Sequence, residues 1–301
     1  MKTRPRTKPN HRQTDAAAHG RRARRLLRSR IGQAITVVIL SVIGFFYLYP
    51  LLWMLGSALK TNREFFKLGM QILPAGSWNF HNFVEAWTTA QFGQYFINTV
   101  FVTTCVVVGK VLFSSMLGYV LARTDMPGKR LLFGLMVGLM FIPAGYTIVP
   151  FIEVVRALGI LNTIWALIVP AVLGGLLFEA FLYTGYFAAL PRELEESARI
   201  DGANFPQVFR YIAFPLAAPM SATVALLAVM NTWNDFFTPL VLVYNRPELR
   251  TLAVGMYAFV DQNTRDWVLT CAAAVITILP LVIVFLFLQR YFVDGIAGAV
   301  K

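Results

Sequence analysis

Charge is scarce in this 301-residue chain: only 14% of its residues are Asp, Glu, Lys or Arg, against roughly a quarter in an ordinary soluble domain. That leaves too little polar surface for a water-soluble globule of this length. Cysteine is nearly absent. Cys105 and Cys271 both lie inside apolar runs, which excludes a disulfide scaffold and a cysteine-based metal site and leaves two small buried hydrophobes. Histidine occurs only at His11, His19 and His81, outside every long apolar run. Neither H-E-x-x-H nor G-x-S-x-G is present, so no paired catalytic motif points to an intramembrane enzyme. A nucleotide-phosphate loop is missing as well. Gly109-Lys110 and Gly128-Lys129 are followed by Val111 and Arg130, so neither completes G-x-x-x-x-G-K-[ST].

What is present is apolar length. Hydrophobic residues make up 57% of the chain, and a spanning helix needs about 20 of them in a row. The uncharged stretches between Arg30 and Lys60 (29 residues), Arg130 and Glu153 (22), Arg156 and Glu179 (22), Arg210 and Asp235 (24), and Asp266 and Arg290 (23) all qualify. A further candidate near 95–122 is interrupted only by Lys110. The expected fold class is therefore all-α, a polytopic membrane protein with six transmembrane helices at about 34–58, 96–122, 131–151, 163–187, 214–243 and 267–291. The first apolar run is about twice the length of a signal-peptide core, so it is read as an uncleaved first span.

The net charge of +12 is not a nucleic-acid footprint. Residues 1–30 hold eleven Lys/Arg and one acid, leaving only +2 for residues 31–301. The expected organisation is a disordered basic tail, 1–30, followed by a six-helix domain, 31–301. The tail orients the first helix with its N-terminus in the cytoplasm, an even helix count returns the C-terminus there, and the basic residues suit anionic membrane lipid. Among the connections, Lys60 to about Tyr95 is the longest on the external side. With Trp78, Phe80, Phe83 and Trp87 it is expected to form a small amphipathic cap.

The internal stretch 190–215 is longer than a connector requires. Pro191 is suited to start a helix whose first turn carries Glu193, Glu195 and Glu196, complementing the positive end of the dipole. Glu195 and Arg199 form an i,i+4 pair, and Gly202 breaks the helix at a position suited to positive φ. Phe205, Val208, Phe209 and Ile212 then form an apolar stripe on a second short helix, ended by Pro215. The stripe can serve the headgroup layer, the underside of the bundle, or a partner.

Glu196-Ser197-Ala198, three residues, Gly202, nine residues, and Ile212-Ala213-Phe214-Pro215 resemble the EAA signature of permease subunits of ATP-binding-cassette importers, E-A-A-x3-G-x9-I-x-L-P. The departures are Ser197 and Phe214. The resemblance runs from about residue 35 to the end, through Ser57-Ala58-Leu59-Lys60-Thr61, Tyr119-Val120-Leu121-Ala122-Arg123, Leu158-Gly159-Ile160-Leu161-Asn162-Thr163, Trp233-Asn234-Asp235-Phe236 and Arg290-Tyr291-Phe292-Val293-Asp294-Gly295. It is similar to the maltose-type carbohydrate permeases. The resemblance implies a subunit of the bacterial inner membrane that pairs with a second homologous permease, stands on two ATPase subunits and receives a sugar or oligosaccharide from an extracytoplasmic solute-binding protein. It also implies that the chain has no cofactor or metal of its own, ATP and Mg being bound by the partner subunits.

Alternating access needs about 5.5 kcal/mol of differential binding to move an equilibrium from 1:99 to 99:1, and this chain carries no nucleotide site to supply it. The resemblance places coupling to the ATPase on Glu195, Glu196, Ser197, Ala198, Asp201, Gly202, Phe205, Phe209, Ile212 and Pro215, with Glu196 pairing to a basic group. Intramembrane polar groups are costly and point to function or to helix pairing. Asn231, Trp233, Asn234, Asp235 and Phe236 are the candidate substrate pathway, combining hydrogen-bonding groups with aromatic platforms. Lys110 and Glu179 are weaker candidates that can serve as helix-helix partners. The alternative reading is an ion-coupled secondary transporter of a small polar solute, with Glu179 and Asp235 as coupling groups. It leaves the 190–215 loop unexplained, and the two halves show no internal repeat.

Overall fold

The computed structural model describes residues 11–141, 148–259 and 266–299. Among these residues every regular element is helical. They run α1 (His11–Ser57), α2 (Asn62–Leu68), α3 (His81–Thr88), α4 (Phe92–Arg123), α5 (Lys129–Met140), α6 (Ile148–Ala157), α7 (Trp165–Leu173), α8 (Leu176–Ala189), α9 (Glu193–Ile200), α10 (Phe205–Val208), α11 (Phe214–Leu216), α12 (Ala218–Trp233), α13 (Phe237–Leu242), α14 (Leu252–Gly255) and α15 (Trp267–Ala299). Helix α1 reaches back to His11, so helix extends into the basic segment that the sequence reading leaves disordered; its Ala, Arg and Leu residues are strong helix formers.

Three unbroken stretches are long and apolar enough to cross a membrane: Gly32–Ser57, Phe92–Arg123 and Trp267–Gln289. Two bent helix pairs reach the same length and apolarity only when each is taken together, α7 with α8 at 42° and Phe205–Leu216 with α12 at 76°. The span expected at 131–151 is divided between α5 and α6 on either side of 142–147, which lie outside the described residues. The described structure therefore holds up to five crossings, where the sequence predicts six. Both bends have local causes. Gly174-Gly175 separates α7 from α8, with Gly175 at φ +78°, a conformation that favours glycine. Ala217 (φ −83°, ψ 12°) turns the chain just ahead of Pro219, whose ring would clash with the carbonyl of Pro215 in a straight helix.

The fifth span, expected at 214–243, is also shorter than predicted. Helix α12 stops at Trp233, and a separate helix, α13, begins at Phe237. Pro239 cannot donate to the carbonyl of Asp235; instead Asp235 Oδ1 accepts from the Thr238 amide at 3.1 Å and starts the new helix.

Helix α4 is the axis of the bundle, packing on α7, α8 and α12. Small residues permit the approach. A Cβ on Gly118 would lie 2.5 Å from Tyr183 Cβ and 2.9 Å from the Ala180 carbonyl of α8, and one on Gly109 would lie 2.8 Å from the Val172 side chain of α7. At the N-terminal end of α4, the connection after α1 folds into a cap over the bundle. Asn82 donates to the carbonyls of Ala58 (2.8 Å) and Lys60 (2.9 Å), while the buried Lys60 Nζ donates to the Gln71 carbonyl at 2.5 Å. Burial holds the Lys60 pKa below its ordinary value. Of the four cap aromatics, Phe83 packs on the core and Trp87 meets the Phe96 ring at 5.3 Å, whereas Trp78 and Phe80 are exposed.

Candidate functional site

Two regions at different depths along α4 gather the polar residues. The first is a cavity of about 700 Å³ opening beside the α7–α8 break. Because the chain unwinds at Gly174-Gly175, the carbonyl of Gly174 is released from helical pairing and accepts from Lys110 Nζ at 2.6 Å. The same ammonium donates to Glu179 Oε1 at 2.5 Å. Both side chains are buried, 6% and 4% exposed. The arrangement follows from the break: a cation suits the carbonyl end of α7, and a carboxylate suits the first turn of α8. Irregular backbone at membrane depth is tolerated where it is enclosed by protein or lines a cavity, and here it does the latter.

Asn231 and Asp235 line this cavity together with Lys110, Glu179, Thr232, Thr238 and Thr251, over an apolar floor that includes Phe151, Phe178 and Phe237. Two oxygens at its wall, Glu179 Oε2 and Thr251 Oγ1, are buried without a hydrogen-bond partner among the described residues. The other predicted pathway residues are elsewhere. Trp233 is buried in the core and donates its indole N–H to the Thr277 carbonyl at 3.0 Å. Asn234 is exposed and folds its amide back to the Met230 carbonyl at 2.8 Å. Phe236 stacks on Tyr257, 5.0 Å between centroids, beside a separate recess of about 370 Å³. The five consecutive candidates thus divide because helical geometry sends neighbours to different faces.

The second region is the elbow at the C-terminal end of α4. Helix α9 closes with a Schellman pair: Ala203 donates to the Ala198 carbonyl (2.9 Å) and Gly202 to the Arg199 carbonyl (3.0 Å), with Gly202 at φ +91°. A capping box opens α10 at once, the Gln207 amide donating to Asn204 Oδ1 (3.0 Å) and the Asn204 amide to Gln207 Oε1 (2.8 Å). Back-to-back caps fix the angle between the two short helices. A π-helical turn, Phe209–Ala213, then leads into α11.

Glu195 does not face outward. It is buried, accepting from Arg123 Nε at 2.7 Å and Tyr119 Oη at 3.0 Å, and Arg123 also donates to the Leu190 carbonyl at 3.1 Å. The expected i,i+4 partner, Arg199, stands 3.9 Å away and half exposed. The apolar stripe likewise turns toward the underside of the bundle, one of the three roles the sequence leaves open for it: the Phe205 and Phe209 rings lie 4.8 and 5.2 Å from Tyr119, Val208 is fully buried, and Ile212 is half-buried. The physical reason is the aromatic cluster of Tyr119, Tyr183 and Phe187, which needs a cover at the end of the bundle. What remains outward is the opposite face, with Glu196, Ser197, Asp201, Gly202 and Pro215 exposed and Ala198 half-buried. Leu194 and Ile200, 47% and 86% exposed, supply its apolar area. Sequence reasoning missed the Glu195–Arg123–Tyr119 clamp because its partners are 72 and 76 positions apart, beyond any helical period.

Residues 114–298 match the family described as binding-protein-dependent transport system inner membrane component. The chain is 36% identical over 254 residues to the probable ABC transporter permease protein YurM of Bacillus subtilis (strain 168), covering 84% of this chain and 83% of that one. It is 33% identical over 269 residues to the melibiose/raffinose/stachyose import permease protein MelC of the same strain, covering 89% and 96%. Among solved structures, a bacterial ABC transporter involved in the import of the acidic polysaccharide alginate superposes with a TM-score of 0.74 at 25% identity, covering 87% of this chain and 97% of that one.

Proposed function

The chain belongs to the binding-protein-dependent transport system inner membrane component family and is a multi-pass permease subunit of an ATP-binding-cassette importer; from that premise we propose that it carries a sugar or oligosaccharide. In this reading it forms half of the translocation pathway with a second homologous permease, receives solute from an extracytoplasmic binding protein, and stands on two ATPase subunits that bind ATP and Mg. Both termini lie in the cytoplasm of a bacterial cell, placing the α9–α10 elbow against the ATPase and the α2–α3 cap outside. Saccharide import permeases among its relatives support the solute class.

The observation that carries the coupling mechanism is the path along α4. Arg123 and Tyr119 hold the elbow through the buried Glu195, and Lys110 on the same helix holds the α7–α8 break at the cavity. The thirteen-position step from Lys110 to Arg123 spans about 20 Å of rigid helix. A displacement of α9 is thereby delivered to the cavity wall, with Glu196, Leu194 and Ile200 as the surface the ATPase moves. Helix-in-groove docking suits such a face.

The test is solute-stimulated ATP hydrolysis in the reconstituted complex of both permeases, ATPase subunits and binding protein. Glu196→Ala, or Gly202→Asp at the positive-φ elbow, abolishes the stimulation. Full stimulation in both variants would refute the assignment.

A further inference from the structure

Resting on the proposed import of a saccharide, we infer that Glu179 Oε2 and Thr251 Oγ1 form a hydroxyl-binding subsite in this chain, and that its half of the pathway selects neutral saccharides over acidic ones. The two oxygens belong to residues of the same cavity wall, and neither has a protein hydrogen-bond partner among the described residues. Buried polar groups are ordinarily paired, so two orphans beside one cavity mark the place where a ligand completes the pairing. The carboxylate oxygen accepts only, and the threonine hydroxyl both donates and accepts. A sugar hydroxyl, itself a donor and an acceptor, can satisfy either oxygen.

The charge of the wall narrows the class. Lys110 is already engaged by Glu179 Oε1 and the Gly174 carbonyl, so the ion pair is neutral as a unit. Asp235 adds a carboxylate, of which Oδ1 accepts from the Thr238 amide. The lining therefore carries one net negative charge and offers acceptors, with Asn231 as the amide donor. A uronate would bring its own carboxylate against Glu179 and Asp235 with no uncommitted cation among the described lining residues to receive it, and like charges in a low-dielectric site repel strongly. The apolar floor of Phe151, Phe178 and Phe237 accommodates the C–H faces of a pyranose.

Thr251→Val is the discriminating variant, because it removes a hydroxyl that contributes no bond to the fold while keeping the side-chain shape. The complete complex with its binding protein is placed in ATP-loaded proteoliposomes and offered an equimolar mixture of neutral probes (melibiose, raffinose, maltotriose, diacetylchitobiose, arabinotriose) and acidic ones (di- and trigalacturonate). Internalised saccharide is read by mass spectrometry and normalised to ATP hydrolysed. The wild type accumulates neutral saccharide. Thr251→Val lowers the saccharide carried per ATP about 3- to 10-fold, the loss of one neutral hydrogen bond, with a melting temperature at or above that of the wild type; Thr251→Ser restores transport. An unchanged ratio in Thr251→Val, or a lowered ratio that Thr251→Ser fails to restore, overturns the subsite, and preferential uptake of galacturonates overturns the selectivity. Exclusion of every saccharide by an ATP-hydrolysing wild type instead refutes the saccharide reading on which the inference rests.

Discussion

Adjacent glutamates in α9 should fail in opposite ways. The Glu195 side chain is 6% exposed and that of its partner Arg123 4%, so truncating Glu195 to Ala leaves a buried guanidinium whose remaining partner among the described residues is the Leu190 carbonyl and removes the carboxylate that accepts from the Tyr119 hydroxyl. Breaking one side of a buried ion pair costs about 3–5 kcal/mol, roughly 5–15 °C in melting temperature on the scale of folded domains. Glu195→Gln keeps the shape and an acceptor but loses the charge, so its cost falls nearer the about 1.5–3 kcal/mol of a charge-assisted hydrogen bond. Glu196 is exposed, and its truncation stays within about 0.5 kcal/mol. The assay is thermal unfolding of the purified complex in nanodiscs, followed by intrinsic fluorescence, with the Arg123→Ala and Glu195→Ala/Arg123→Ala variants completing a double-mutant cycle. Destabilisation by Glu196→Ala equal to that by Glu195→Ala, or full additivity of the Glu195 and Arg123 losses, would falsify the clamp.

Other positions offer independent checks. Gly118→Val drives a side chain into Tyr183 and the α8 backbone, an overpacking worth about 1–3 kcal/mol or more, visible as a lower melting temperature; an unchanged value contradicts the α4–α8 contact. Lys110→Met isolates the buried Glu179 carboxylate and costs about 3–5 kcal/mol, whereas Lys110→Met combined with Glu179→Leu recovers most of that loss; a double variant less stable than the single one argues against the pair. In the cap, the Thr61 amide is the main cause holding Glu64 below its ordinary pKa of 4.5, with the Gly76 amide adding to it. A depressed carboxylate contributes stability above its unfolded pKa and loses it as pH falls through the folded one. Amide protection at Thr61 and Gly76 should therefore decline as pH drops below 4.5, and Glu64→Gln should remove that dependence.

How far the sequence reaches can be followed residue by residue. Apolar runs, one of them interrupted by Lys110, are enough to locate α4, α15 and the C-terminal part of α1, because a bilayer imposes length and apolarity on any segment that crosses it. Gly202 could be placed at a positive φ from its position after an acidic-first, basic-last helix, since capping is local chemistry. Trp233, Asn234 and Phe236, by contrast, are as polar or aromatic as their neighbours, and nothing in a one-dimensional string says which face of α12 and α13 meets the cavity. Pro239 and Pro219 are visible as letters, but the direction in which the broken helices depart depends on what they pack against.

The sequence by itself determined that this is an all-α membrane protein, where its longest apolar spans lie, and where the chain must turn sharply between two short helices. Those properties depend on composition, spacing and backbone conformation, all of which act over a few residues. Tertiary structure decided which glutamate anchors the elbow and which faces outward, that the apolar stripe of α10 seals the bundle, and that Lys110 and Glu179, 69 positions apart, join Asn231 and Asp235 around one cavity. Burial and ion pairing between distant segments are properties of the assembled bundle, where the cost of desolvating a charge fixes which partner it must find.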